Sequence, residues 1–168
     1  MTVPQPGDFA VVSVGGTPGR LIRLGEMLNG GGAFSEYQHA FIYTGSESIH
    51  GSIIQAEPAG ADWGYLTPHA ETLWSTGKIE LTNVQRHAIV DAAIGYIGTP
   101  YSALDYLAIA LHHWHIPIPH LKAYIASTHH QICSQLVDQC YADAGVHLFA
   151  DGRWPGYITP ADLARRIS

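Results

Sequence analysis

A cysteine and a histidine in this chain sit in settings that would let them share a proton. Cys133 falls in the run HHQICSQLVDQCY, where a polar stretch turns into an amphipathic helix. Peptide N–H groups at a helix start carry partial positive charge and favour a thiolate over a thiol. Far upstream, His39 opens the strand-like run QHAFIYTG, and an imidazole held on a strand can take and return a thiol proton. The pair predicts a cysteine-nucleophile enzyme. The same helix-start N–H groups would be placed to hold the oxyanion of a tetrahedral intermediate.

Two cysteines are present, Cys133 and Cys140. An arbitrary cysteine on the apolar stripe of a helix is a small buried hydrophobe, and Cys140, in mid-helix where the dipole offers nothing, fits that description. On one helix the two would be separated by a rise of about 10.5 Å, beyond the reach of a disulfide. Both are therefore expected as free thiols, as suits a reducing compartment or a chain that does not depend on oxidative folding.

Among eleven histidines, His39 is singled out because it begins an otherwise apolar strand. Gln55 and Glu57, on one face of the following strand, are the candidates to orient its ring and fix its tautomer. The clusters at His112, His113 and His115 and at His129 and His130 raise the competing idea of zinc held by imidazole and thiolate. The chain has no CxxC pair, and structural zinc sites generally draw on such pairs. No metal and no cofactor are expected.

The elements that must position these residues follow from patterning. After Gly7 and Asp8, the β-branched run FAVVSV reads as a strand closed by Gly15 and Gly16. Thr17 and Pro18 start a short helix that ends at the glycines from 30 to 32. From His39 to Thr44, alternation puts His39, Phe41 and Tyr43 on one face of a strand that Gly45 is expected to stop. Ser52 to Glu57 pairs with it until Pro58 intervenes. Lys78 to Leu81 reads as a further strand. Thr82 with Gln85 forms a capping box for a helix running to Gly98. Tyr101 to Trp114 reads as helical, and a helix from near Cys133 ends at a Gly145 cap. Thr159 and Pro160, with Asp162, start a last short helix. Strand, helix, several strands and then helices, without βαβ alternation, give α+β as the class.

A chain of 168 residues suits one domain, 1–168, able to bury roughly two-thirds of its unfolded surface. Net charge is −6 and the eight Lys and Arg residues form no cluster longer than Arg165-Arg166, which argues against nucleic acid as a partner. The longest uncharged stretches fall short of the ~20 apolar residues of a membrane span. MTVPQPGDF has neither a basic n-region nor an apolar h-region, so no secretory signal is expected. The expected location is cytoplasmic, or outside the cell by lysis or carriage in a phage particle.

Several of these segments resemble a known family. QHAFIYTG resembles the H-[VA]-x-I-Y-x-G strand of NlpC-like cell-wall peptidases, GDF near the start resembles their GD-[LI]-V strand, and ICSQLVDQCYADAG resembles their D-C-S-G-L-V nucleophile helix. In ordinary members the nucleophile helix comes first. Here the histidine strand precedes it, as in the circularly permuted branch that includes YiiX-like proteins and the lecithin retinol acyltransferase relatives. GTPY, residues 98–101, resembles the G-x-P-Y element that precedes the nucleophile. The likeness runs from Gly7 to the TPADL segment.

The resemblance implies a papain-like, permuted NlpC-type α+β fold with the nucleophile helix packed on a small antiparallel sheet. It implies Cys133 as nucleophile, His39 as general base, Gln55 as the third, orienting residue with Glu57 as fallback, and Tyr101 beside the substrate carbonyl. The activity implied is a thiol amidase or endopeptidase acting on peptidoglycan-type peptides of bacterial or phage context. Two departures stand out. Gln55 is a neutral amide where many relatives carry His or Glu, and Ile132 replaces the Asp that serves a peptide amine. They keep two alternatives in view: a lipid-directed thioesterase or acyltransferase of the same fold, and a catalytically silent binding or structural module.

Overall fold

The computed structural model describes residues 3–13, 36–57, 59–67, 71–100, 133–150 and 158–168, without the side chains of 47 and 48. Five strands carry the architecture: β1 (Phe9–Val12), β2 (His39–Ser48), β3 (Gly51–Glu57), β4 (Gly60–Gly64) and β5 (Thr72–Trp74). They form one antiparallel sheet in the order β4-β3-β2-β1-β5. Three helices are described, α1 (Asn83–Gly95), α2 (Cys133–Asp143) and α3 (Pro160–Ile167), so the protein is of the α+β class. Among the described residues no helix is long and apolar enough to cross a membrane.

The long central strand β2 pairs with β1 through Phe9 opposite Ile42 and Val12 opposite His39, and with β3 through Phe41 opposite Gln55. Side chains alternate between faces along a strand, which gives the sheet two distinct surfaces. Phe9, Val11, Ala40, Ile42, Ile54 and Ala56 join Ile89 and Ala93 of α1 and Leu136, Val137, Cys140 and Tyr141 of α2 in the main core. Burying an Ile, Leu or Phe side chain in such a layer contributes roughly 1.5–3 kcal/mol. Ala10, Val12, Phe41 and Ile53 form a second buried cluster, on the sheet face that also carries His39, Gln55 and Glu57 by register.

Helix α2 packs on β2 and β3, and α1 packs against α2. Tyr96 at the end of α1 donates its hydroxyl to Asp143 of α2 at 2.8 Å, and Gln139 donates to the other oxygen of the same carboxylate at 2.8 Å. Burial pushes the Tyr96 hydroxyl upward in pKa, and the Asp143 contact adds to the shift. Beyond its last turn, α2 closes as a Schellman motif: the Val146 N–H donates to Tyr141 O and the Gly145 N–H to Ala142 O. The capping box expected at Thr82 and Gln85 forms at the start of α1, and the helix start expected at Thr159 and Pro160 forms at α3, where Thr159 and Asp162 also make a capping box.

Several boundaries differ from expectation. Gly45 does not stop β2. It takes a φ of +72° inside an irregular stretch where the pairing register with β3 shifts between Tyr43 and Ser48, so the glycine makes a bulge and the strand continues. A side chain there would also collide with the ring of Pro6. Residues 78–81 form no strand: the Lys78 and Ile79 N–H groups both turn back to Ser75 O, a turn rather than a ladder. Ile79 is buried in the main core instead. The strand of this region is β5, just upstream. β4 is not expected from patterning, since GADWG has none of the β-branched density that marks a strand, and α1 ends at Gly95 rather than Gly98. The two helices expected at 17–30 and 101–114 lie outside the described residues.

Candidate active site

His39 is the first residue of β2 and Cys133 the first of α2, and the fold brings these two starting points together. The thiol of Cys133 lies beside the His39 ring, near enough to raise the pKa of the ring. Ser134, the next residue, donates its hydroxyl to Ile158 O at 2.6 Å in the interior. That bond ties the first turn of α2 to the residue just before the α3 cap and limits the freedom of the thiol.

On its other side, the His39 ring meets Gln55. Nε2 stands 2.8 Å from Gln55 Oε1, and Gln55 Nε2 donates to Glu57 Oε1 at 3.0 Å. A carboxylate only accepts, so the amide nitrogen must face Glu57 and the amide oxygen must face the ring. An amide oxygen also only accepts, which requires the proton on His39 Nε2. In the neutral ring this leaves the lone pair on Nδ1 for the thiol proton. The tautomer thus follows from a chain of hydrogen bonds whose direction is set at Glu57.

The protonation of His39 reflects opposing influences. Burial disfavours the imidazolium, but the hydrogen bond and charge of Cys133, the Gln55 oxygen and the Glu57 carboxylate together raise its pKa above the ordinary 6.5. For Cys140 the balance is one-sided, since burial, reinforced by Asp143, pushes its thiol well up. Cys140 is fully buried among the side chains of the main core. Neither cysteine is in a disulfide.

The structure therefore brings His39, Gln55 and Cys133 into one contact chain and adds Glu57 behind Gln55. Tyr101 and Ile132 lie outside the described residues, as do the histidines at 112, 113, 115, 129 and 130. Among the described residues no three His, Cys, Asp or Glu side chains gather in a way that could hold a metal ion.

One contributor went unread in the sequence. An added Cβ at Gly64 would fall 2.7 Å from Gln55 Nε2 and 3.1 Å from its Cδ, so β4 leaves a slot that the amide fills. The signal is a glycine ending a strand, where the missing side chain leaves room for a close approach, but it is legible only once GADWG is seen as a strand. The Gly98–Thr99 part of GTPY runs along the outer edge of β4, with Ala61 N donating to Thr99 O and Gly98 N to Ala61 O, both at 2.8 Å.

No protein-family model matches the chain, and neither a curated protein nor a solved structure matches it.

Proposed function

We propose that the protein is a cysteine-nucleophile hydrolase of papain-like, permuted NlpC type, an amidase or endopeptidase acting on peptidoglycan-type peptides. The observation that carries the chemistry is the juxtaposition of the Cys133 thiol with a His39 ring whose Nε2 is engaged by Gln55 at 2.8 Å. Thiol, imidazole and an amide that orients it are the parts that acyl transfer through a thioester requires. The substrate class rests on the likeness of the QHAFIYTG, GDF and ICSQLVDQC segments to the cell-wall peptidases.

In this mechanism Cys133 passes its thiol proton to His39 Nδ1, and the thiolate attacks the carbonyl carbon of the scissile amide. N–H groups of the first turn of α2 have no intrahelical acceptors and receive the developing oxyanion. Collapse breaks the carbon–nitrogen bond, and His39 returns its proton to the departing amine. Water then attacks the thioester with His39 taking one of its protons, and the acid product and the free thiol are released. The Nε2–H to Gln55 bond holds the ring in place through both halves. Tyr101 is proposed to contact the substrate carbonyl.

Ile132 favours a second reading, a lipid-directed thioesterase or acyltransferase, because an apolar residue there offers nothing to a peptide amine. Incubation with muropeptides and, separately, with short-chain thioesters and phospholipids separates the two. Release of a new amine from muropeptides, absent in Cys133→Ala, is the expected result. Turnover confined to the acyl substrates would move the assignment to the second reading. No turnover, together with a Cys133 that alkylates no faster than a free thiol at neutral pH, would leave a silent binding module.

A further inference from the structure

We infer that Glu57 is a positioning residue of this site: it locks the Gln55 amide in the one orientation that keeps the His39 proton on Nε2. The inference builds on the reading of Cys133 and His39 as a proton-sharing pair. A carboxamide is nearly symmetric in shape but opposite at its two ends in hydrogen bonding, so shape alone cannot decide which end faces a histidine. In this site the decision is made one residue further out. With Gln55 Nε2 at 3.0 Å from the Glu57 carboxylate and Oε1 at 2.8 Å from His39 Nε2, both contacts join a donor to an acceptor. Turning the amide over would set its oxygen against the carboxylate and its NH2 against the ring, which could then accept only with the proton moved to Nδ1. That arrangement takes from the thiol the lone pair it needs.

The surroundings leave Glu57 as the group that decides. Asp62 lies directly opposite Gln55 in the ladder, but its Oδ1 accepts from the Trp63 N–H at 2.7 Å. Gly64 confines the amide sterically without preferring either orientation, because it offers no side chain. Glu57 is also among the groups that raise the basicity of His39. Its side chain is solvent-exposed, so an interior packing role does not explain it, and its replacement should leave the core untouched.

The test reads the His39 tautomer directly, from ring carbon and nitrogen chemical shifts of the full-length protein at a pH where the ring is neutral, alongside the iodoacetamide alkylation rate of Cys133. The wild type is expected to hold the proton on Nε2. In Glu57→Lys the ammonium can only donate, so it draws the Gln55 oxygen outward, turns the NH2 to the ring and shifts the proton to Nδ1. Thiol alkylation should fall by about tenfold with an unchanged unfolding temperature. Glu57→Gln, whose own amide can turn either way, should give a mixture of tautomers and an intermediate rate. Gly64→Ala, with no change of charge, should expel the amide and lower the rate as well. A ring that keeps its proton on Nε2 in Glu57→Lys, with the thiol as reactive as before, would overturn the inference, and so would a wild type with its proton on Nδ1. If the tautomer switches as expected but the wild type turns over no substrate, the positioning role stands and the hydrolase reading falls.

Discussion

The two ends of the β1–β2 pair both carry buried or partly buried polar groups, yet they are built in opposite ways. At the Gly7 end, Asp8 is almost fully buried and every part of its carboxylate is spoken for. Arg86 of α1 pairs with Oδ1 at 2.8 Å, while the Gln5 N–H and the Thr76 hydroxyl donate to Oδ2 at 2.9 and 2.8 Å. The same end holds Tyr141, whose hydroxyl donates to Gly7 O at 2.8 Å and whose ring meets Phe9 edge-on. Burial pushes the Tyr141 pKa upward, so its hydroxyl keeps its proton. At the His39 end, the hydrogen bonds run in one line from Glu57 through Gln55 to a ring with a thiol beyond it.

The difference separates anchoring from chemistry. A carboxylate that accepts from three donors fixes β1, α1 and the turn after β5 relative to one another. A line of polar groups ending in a titratable pair holds a geometry while leaving its last proton exchangeable. Helix α2 connects the two, with Cys133 at its first turn beside His39 and Tyr141 about 12 Å further along beside Gly7, by the ordinary rise of a helix. The anchored end thereby sets where the thiol stands.

The sharpest way to break this comparison is to exchange its symptoms. Cys133→Ala should abolish turnover, by about 10⁴-fold or more as for removal of a nucleophile, although its thiol is buried in the main core as well and its loss should cost about 1 kcal/mol of stability. Cys140→Ala should keep activity per folded molecule while losing about 1–2 kcal/mol from the cavity it leaves. Loss of activity in both variants would mean that position along α2 does not distinguish the cysteines.

Next in size is Asp8→Ala, which leaves Arg86 without its partner and strips the acceptor from Gln5 N and Thr76. Removing one member of a buried pair costs about 3 kcal/mol, and denaturant titration should show a loss of that order. Activity of the remaining folded fraction should stay close to wild type. An Asp8→Ala protein that is stable but inactive would put Asp8 into the chemistry and erase the contrast. Third is Gln55→Ala, expected to lower the turnover rate by roughly 10–100-fold while changing stability by less than about 1 kcal/mol. Steady-state kinetics beside thermal unfolding would show whether the loss falls on rate or on folding.

The two ends were unequally legible in the sequence. His39 and the facing pair Gln55 and Glu57 were visible because strand periodicity is local: alternate residues share a face whatever else the chain does. The helix start at Cys133 was visible for the same reason, from the stripe of Leu136, Val137, Cys140 and Tyr141 and the Gly145 stop. The order of contact was not, and only coordinates show Gln55 touching His39 with Glu57 behind it. The Asp8 end was almost unreadable. Its partners Arg86 and Tyr141 are 78 and 134 residues from the groups they bind, counted from Asp8 and Gly7, and no spacing rule connects them. Gly64 shares that difficulty, since its importance is an absence of atoms beside a side chain on another strand.

The smallest expected effect bears on the titrating end alone. His39 has a folded-state pKa raised above 6.5, although burial pulls it the other way, so the net gain is a difference between opposing contributions. A group with a raised folded-state pKa contributes stability that is present in full below its unfolded value and is lost as pH rises through the folded value. The unfolding free energy of wild type relative to His39→Gln should therefore be greater at about pH 5.5 than at about pH 9, with the decline beginning above 6.5. Asp8→Ala offers the contrast: its deficit comes from the opposite end of the β1–β2 pair and should not change as His39 titrates. If the His39→Gln difference were flat with pH, or grew toward alkaline pH, the imidazolium would gain nothing from Cys133, Gln55 and Glu57. The two ends of the sheet would then differ in composition but not in kind.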